Sequence, residues 1–196
     1  MSFGQQAQDR QRALAWAADV AADPTVVYLD TETTGLGRGS EIVDIAVIDA
    51  DGLTLLDTLV QPNRPIPDDA VGIHGISIEM VADAPTWREV YPLLVEAITN
   101  RRVIVFNADF DRGMVDEVCS QNRLVPPPGR WQCAMKAYAA YHGEWNPRTR
   151  DYKWQRLNVA ASTFNHDPGG HRALVDSLVC RLVVHSMAEL YRAEFG

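Results

Sequence analysis

Cysteine is scarce in this chain: Cys119, Cys133 and Cys180 are the three in 196 residues, odd in number and widely spaced. No C-x-x-C pair stands ready for zinc and no even framework for disulfides, so reduced thiols in a cytoplasmic protein are expected. Long apolar runs are missing too. Residues 1–24 lack the uninterrupted apolar core of a signal peptide, because Asp19 breaks up Ala13–Ala22. No other run approaches the ~20 apolar residues that cross a bilayer, which points to a soluble protein with no membrane partner. Positive charge is short as well. Lys and Arg number 18 against 26 Asp and Glu, a formal net charge of −8. That balance excludes a broad basic face for duplex nucleic acid. It leaves room for an acidic site that metal ions neutralise and that grips a few nucleotides. Internal repeats and low-complexity tracts are also absent.

What is present is enough apolar material, 46% of the residues, for one well-cored domain. One stretch organises it: Val26-Val27-Tyr28-Leu29-Asp30-Thr31-Glu32-Thr33-Thr34-Gly35-Leu36. Its apolar, β-branched opening predicts a buried strand. Side chains alternate along a strand, so Asp30 and Glu32 project to the same side. Two carboxylates held close repel unless one is protonated or a cation lies between them. Carboxylate oxygens suit Mg²⁺ or Mn²⁺. A D-x-E pair alone favours the plainer reading, a strand running into an acidic, solvated turn; the rest of the chain decides against it.

Residues 5–22 predict a helix, with Ala13, Trp16, Ala17 and Val20 recurring at helical spacing and Asp23-Pro24 ending it. It forms a helical extension over residues 1–24 ahead of the main domain at 25–196, covering an edge of that domain's core or binding a partner. Glu41–Ala50 and Leu53–Val60 predict two further strands joined at the hairpin signal Asp51-Gly52. His74 sits in a short turn-like piece, residues 71–76. Thr86 and Glu89 fit a capping box, opening a helix to about Thr99 with Val90, Leu93, Leu94 and Ala97 on its core face. A fourth strand at 102–106 runs into Asn107-Ala108-Asp109-Phe110-Asp111 and a helix to about Gln121. Ligand chemistry favours such strand ends in α/β proteins. Trp131–Met135 fits a fifth strand or a helix start, and residues 142–153 read as a loop. Residues 154–164 predict a short helix with Leu157, Ala160 and Ala161 inward. After Gly169-Gly170 a last helix runs from His171 to about Tyr191, with Leu174, Val175, Leu178, Leu182 and Val183 on its core face. This order predicts an α/β fold, a mixed five-stranded sheet whose first three strands are antiparallel, flanked by helices.

Asp176 lies amid the apolar run Ala173–Val179, and a carboxylate there needs a cation partner such as Arg172 or Arg181, or a metal. His171 is five residues before it, about 140° away on a regular helix. The two face one site only if His171 lies at the frayed entrance of the helix, which Gly169-Gly170 allows.

Together these residues resemble the DnaQ-like (DEDDh) 3′→5′ exonucleases of the ribonuclease-H-like superfamily. The first family motif is similar to Leu29–Leu36, the second to Asn107–Asp111 and the third, H-x-x-x-x-D, to His171–Asp176, all in the family's order. The His74-Gly75-Ile76 turn also resembles the family's linker. The resemblance spans roughly residues 25–185. A sister branch carries tyrosine four residues before the last aspartate; Arg172 stands there, which favours the histidine branch.

The resemblance implies hydrolysis at 3′ ends, assisted by two divalent ions about 3.5–4 Å apart. Asp30, Glu32, Asp111 and Asp176 would hold the Mg²⁺ or Mn²⁺ pair, and His171 would take the attacking water's proton, a task suited to a group that titrates near neutrality. Thr33, Thr34, Gly35 and Leu36 would contact the terminal nucleotide, with His74 and Asn107 as further members of that pocket. The product would be a nucleoside 5′-monophosphate. Relatives of oligoribonuclease type carry Leu and Met where Thr31 and Thr33 stand here, so single-stranded or frayed DNA is the expected substrate. RNA 3′ ends are the alternative, and a non-catalytic nucleic-acid or polymerase-binding module is the rival of another class. A polymerase partner is not indicated, since the chain stops soon after its last helix; a homodimer is left open. Between residues 138 and 156, Tyr138, Tyr141, Trp145, Tyr152 and Trp154 interleave with Arg148, Arg150, Lys153 and Arg156. That pattern fits either a single-strand platform or ordinary packing.

Overall fold

A computed structural model describes residues 2–196. Its elements are α1 (Phe3–Ala22), β1 (Val26–Thr33), β2 (Ile42–Asp49), β3 (Thr54–Leu59), α2 (Asp68–His74), α3 (Trp87–Ile98), β4 (Arg102–Val105), α4 (Ala108–Gln121), β5 (Arg130–Cys133), α5 (Ala134–His142), β6 (Trp145–Asn146), β7 (Asp151–Tyr152), α6 (Leu157–Thr163) and α7 (Ala173–Phe195).

The five-stranded sheet has the order β3-β2-β1-β4-β5. β1 pairs antiparallel with β2 and parallel with β4, and β5 extends the parallel side, so the expected mixed sheet with its antiparallel opening is present. β1 is central because its residues are apolar on both faces, as a strand buried twice requires. Its alternation sorts the two cores. Val27 and Leu29 pack with Val90 and Leu94 of α3 and Val115 and Val118 of α4. Val26 and Tyr28 face the other layer, where α1, α5, α6 and α7 meet around Leu14, Tyr138, Ala160 and Met187.

The helix expected at 5–22 belongs to this second core, with Ala13, Leu14, Ala17 and Val20 buried. Trp16 is only partly covered, its indole N–H donating to Gln132 Oε1 at 2.8 Å. Asp51-Gly52 makes its turn, with Gly52 at φ +89°, a conformation that favours glycine. The capping box forms at Thr86 and Glu89.

Four expectations need correcting. The stretch expected as a turn at 71–76 is the end of α2, whose first turn carries Asp68 and Asp69 and whose chain leaves through Gly75 in the left-handed conformation. Acidic residues at a helix N-terminus and a left-handed glycine after it are stop and start signals; Gly72 inside the helix obscured them. Leu93 is 51% exposed, so the buried side of α3 is Val90, Leu94 and Ala97. Residues 142–153 are not all loop: β6 and β7 form a small antiparallel ribbon. On α7 the buried side is Ala173, Ser177, Val179, Cys180, Val183, Val184, Met187 and Ala188, while Val175 and Leu182 are 40% and 38% exposed. That helix is wedged between α1 and the sheet, so small residues line its tight contacts and larger ones are displaced outward.

Candidate active site

Three segments converge at the carboxyl end of β1. On β1, Asp30 and Glu32 share the side of Tyr28 and so point toward the α7 layer, whereas Thr31 points toward α4. Thr31 Oγ1 donates to Asp111 Oδ1 at 2.7 Å. One strand thus reaches both layers through alternate residues. Between Glu32 and Thr33 the pairing with β2 slips by one residue, Val43 being the extra one. Such bulges end a ladder and turn the chain, and they gather beside active sites.

Asn107 caps α4, and the amides of Phe110 and Asp111 donate to its carbonyl at 2.9 and 3.3 Å. Asp111 therefore sits in the first turn of a helix, where the dipole favours a negative charge, and it is buried. The third segment is the Gly169-Gly170-His171 break. Gly169 has φ +85°, and a Cβ there would lie 2.5 Å from Asp176 Oδ1. Glycine is required at that approach. His171, at φ +52°, stands just outside α7, which begins at Ala173. Ligand atoms of Glu32, His171 and Asp176 lie within 4.8 Å of one another.

The arginines do not neutralise Asp176. Arg172 donates through Nε to Asp44 Oδ2 at 2.8 Å, and Arg181 Nε donates to the Ala50 carbonyl at 2.8 Å. Asp176 Oδ1 is buried without a partner. Among the described residues no ion pair reaches Asp30, Glu32, Asp111 or Asp176.

Asp44 was not singled out from the sequence. It pairs across the ladder with Glu32, is buried, and accepts from both the Arg172 side chain and the Ala173 amide, the latter at 3.2 Å. It ties the start of α7 to β2 and so fixes the residue beside His171. The clue that exposed Asp176 applies to it equally: a lone carboxylate in the apolar strand Ile42–Ile48 needs a partner.

The substrate-side candidates divide. Thr33 Oγ1 donates to the Gly35 carbonyl at 2.8 Å, and Thr34 Oγ1 accepts from the Glu41 amide at 2.9 Å, so both hydroxyls brace the loop itself. Leu36 is 87% exposed. It lines a depression with Phe110 and Met114. His74 is buried, with Nδ1 accepting from the Ile76 amide at 3.0 Å and its pKa pushed down by burial. Asn107 lines a 470 Å³ cavity that opens on His171 and Asp176; Thr33 to Leu36 and His74 do not.

Electrostatics matches the geometry. Burial first, then the charges of Asp111, Asp176, Glu32 and Asp44, pushes the Asp30 carboxyl well above the usual range. Burial, then Asp176 and Asp44, lifts Glu32 to about 8. Burial lifts Asp111 to about 7 against the opposing Thr31 hydrogen bond. Asp176 is raised by burial despite nearby His171. Carboxylates raised in the fold hold protons that the unfolded chain has released, so their contribution to stability is fully present below about pH 4 and is lost as pH rises through 7–8. The metal-free protein in EDTA is therefore expected to melt progressively lower from pH 5 to pH 8.5, and Mn²⁺ is expected to remove most of that decline. A melting temperature independent of pH in EDTA would refute mutual repulsion in the cluster. The orphaned Asp176 oxygen and the unpaired, oxygen-rich cluster fit hard divalent cations.

A sheet of this order, with helices on both faces and carboxylates gathered at the end of its central strand, defines a ribonuclease-H-like nuclease. The chain belongs to the RNase_T exonuclease family, whose sequence model, described as Exonuclease, matches residues 27–183. It is an exonuclease, a hydrolase of the DnaQ-like type, and the family is metal-dependent. The chain is 36% identical over 187 residues to the uncharacterized exonuclease CP81 of Escherichia phage 186, covering 91% of this chain and 93% of that protein. It is 35% identical over 153 residues to exodeoxyribonuclease 10 of Escherichia coli K12, covering 77% of this chain but 63% of that enzyme's length. Exonuclease X solved in complex with 5′ overhanging duplex DNA superimposes with a TM-score of 0.63 at 29% identity, covering 84% of this chain and 92% of that one.

Proposed function

We propose that the chain removes nucleotides one at a time from the 3′ end of single-stranded or frayed DNA. The observation that carries this reading is the set of four carboxylates, Asp30, Glu32, Asp111 and Asp176, without a cation partner among the described residues and beside His171. Asp30, Glu32, Asp111 and Asp176 would hold two Mg²⁺ or Mn²⁺ ions. Such ions neutralise the charge that gathers on a phosphodiester during displacement and make water a better nucleophile.

His171 accepts the attacking water's proton as the water oxygen bonds to phosphorus. The bond from phosphorus to the 3′ oxygen of the preceding nucleotide breaks, and that oxygen takes up a proton. The products are a nucleoside 5′-monophosphate and a strand shortened by one, with a free 3′ hydroxyl. Thr31 holds Asp111, and Asp44 holds the start of α7 through Arg172, so neither reacting group needs to move far. Leu36, exposed at the tip of its loop, wedges beside the terminal base, while Gly35, braced by Thr33 and Thr34, offers backbone contacts. Similarity to exodeoxyribonuclease 10 supports DNA over RNA. Residues 1–24 act as a structural extension, since α1 packs against α5 and α7 in one core.

Digestion of matched DNA and RNA strands labelled at either end tests the reading. Stepwise loss from the 3′ end of DNA, with Mg²⁺ or Mn²⁺ and not with EDTA, is the expected result. Faster loss of RNA would overturn the sugar preference, and cleavage of neither polymer would leave only a binding module.

A further inference from the structure

The aromatic and basic stretch from 138 to 156 resolves into two groups. Tyr138 is fully buried, its hydroxyl 2.7 Å from Thr163 Oγ1. Tyr141 stacks on Phe164, with ring centres 5.6 Å apart. Trp145 and Tyr152 meet edge to face across the β6–β7 ribbon, and the Tyr152 hydroxyl donates to Asp9 at 3.0 Å. Packing accounts for all four. It does not account for Trp154, which is 58% exposed and has no aromatic neighbour among the described residues. Of the cations, Lys153 pairs with Glu144, whereas Arg148, Arg150 and Arg156 form no ion pair among the described residues, and of these three only Arg156 lies on a cavity shared with Trp154 and the reacting groups.

Both Trp154 and Arg156 line the same 470 Å³ cavity, which has Phe106, Met135 and Leu157 among its apolar walls and is also lined by His171 and Asp176. Arg156 is the one arginine or lysine on its lining. An exposed indole, a free guanidinium and an open path to the reacting groups are complementary to a nucleotide, base on the ring and phosphate on the cation. The backbone leading into Trp154 is anchored. The Lys153 amide donates to the Glu144 carbonyl at 2.8 Å, and the ribbon is tied to α1 through Tyr152 and Asp9.

We propose that Trp154 and Arg156 form a subsite for an unpaired nucleotide flanking the scissile phosphate, its base stacked on the indole. The site rests on the exonuclease reading for the position of the reacting phosphate. A base still paired in a duplex has no free face to offer, so the subsite selects single-stranded ends.

The test uses the full chain and a 12-nucleotide DNA strand, intact or lacking the base at the last or next-to-last position. Affinity is read by anisotropy of a 5′ label in EDTA, so that nothing is cut, and kcat/KM is read separately with Mg²⁺. Trp154→Ala is expected to weaken binding about tenfold, Trp154→Phe to restore most of it, and Arg156→Gln to weaken it less. Removing one of the two bases is expected to weaken wild-type binding by a similar factor and to leave Trp154→Ala unaffected. Unchanged binding by Trp154→Ala, or an abasic penalty that persists in that variant, would overturn the subsite even with normal turnover. Absent turnover with Trp154-dependent binding would instead sink the exonuclease chemistry and leave the subsite standing.

Discussion

Asp30→Asn is expected to abolish hydrolysis, lowering kcat by at least about 10³-fold, while making the metal-free protein more stable. The two effects share one cause. Asp30 is the carboxylate on which burial and the charges of Asp111, Asp176, Glu32 and Asp44 all act to disfavour ionisation. Exchanging it for a neutral group of the same shape removes that repulsion without opening a cavity. The same exchange removes the ligand that heads the central strand. Thermal melts of both proteins in EDTA, then with Mn²⁺, are the check: the variant should melt higher in EDTA and gain less from the ion. Activity lost together with a lower melting temperature in EDTA would mean that Asp30 is structural, and near-normal turnover in Mg²⁺ would sink the two-ion assignment.

His171→Ala is expected to lower kcat by about 10²- to 10⁴-fold with little change in KM. The imidazole has two roles open to it, because its ligand atom lies within 4.8 Å of those of Glu32 and Asp176. As a base it leaves metal affinity untouched, and the acid side of the kcat–pH profile disappears when it is removed. As a ligand it shifts the Mn²⁺ concentration for half-maximal activity and leaves the profile's shape alone. Titrating the ion at several pH values separates the roles. His171→Asn belongs beside it, since asparagine tolerates the φ of +52° better than alanine. A variant whose sole defect is weaker strand binding would remove His171 from proton transfer.

The parts of this architecture that were legible in the sequence are those governed by local periodicity. β1 announced itself through an apolar run that had to be buried on both faces, and alternation placed Asp30 and Glu32 together before any fold was known. The spacing of His171 and Asp176, about 140° on a regular helix, asked for a frayed entrance at His171 if both were to face one site, and α7 begins two residues further on, at Ala173. Contacts between layers were not legible. Nothing near Thr31 in the chain points to Asp111, 80 residues away, and Asp44 looked like one more strand residue until Arg172 arrived opposite it. The burial of α7 was misjudged because a helix wedged between two neighbours is apolar nearly all round and loses its periodic signal. The β6–β7 ribbon, two residues to a strand, is too short for alternation to register.

Strand β1 feeds Asp30 and Glu32 to one helical layer and Thr31 to the other, so the cluster draws on segments that lie far apart in the chain. The segment carrying His171 and Asp176 is also the last of the domain to be synthesised. A nascent chain that has assembled its sheet and docked α4 thus holds Asp30, Glu32 and Asp111 but no imidazole and no fourth carboxylate. Hydrolytic capacity therefore requires α7 to be packed against the sheet. Molecules in which α7 is not in place thus lack two of the five groups, and activity reports the integrity of that packing.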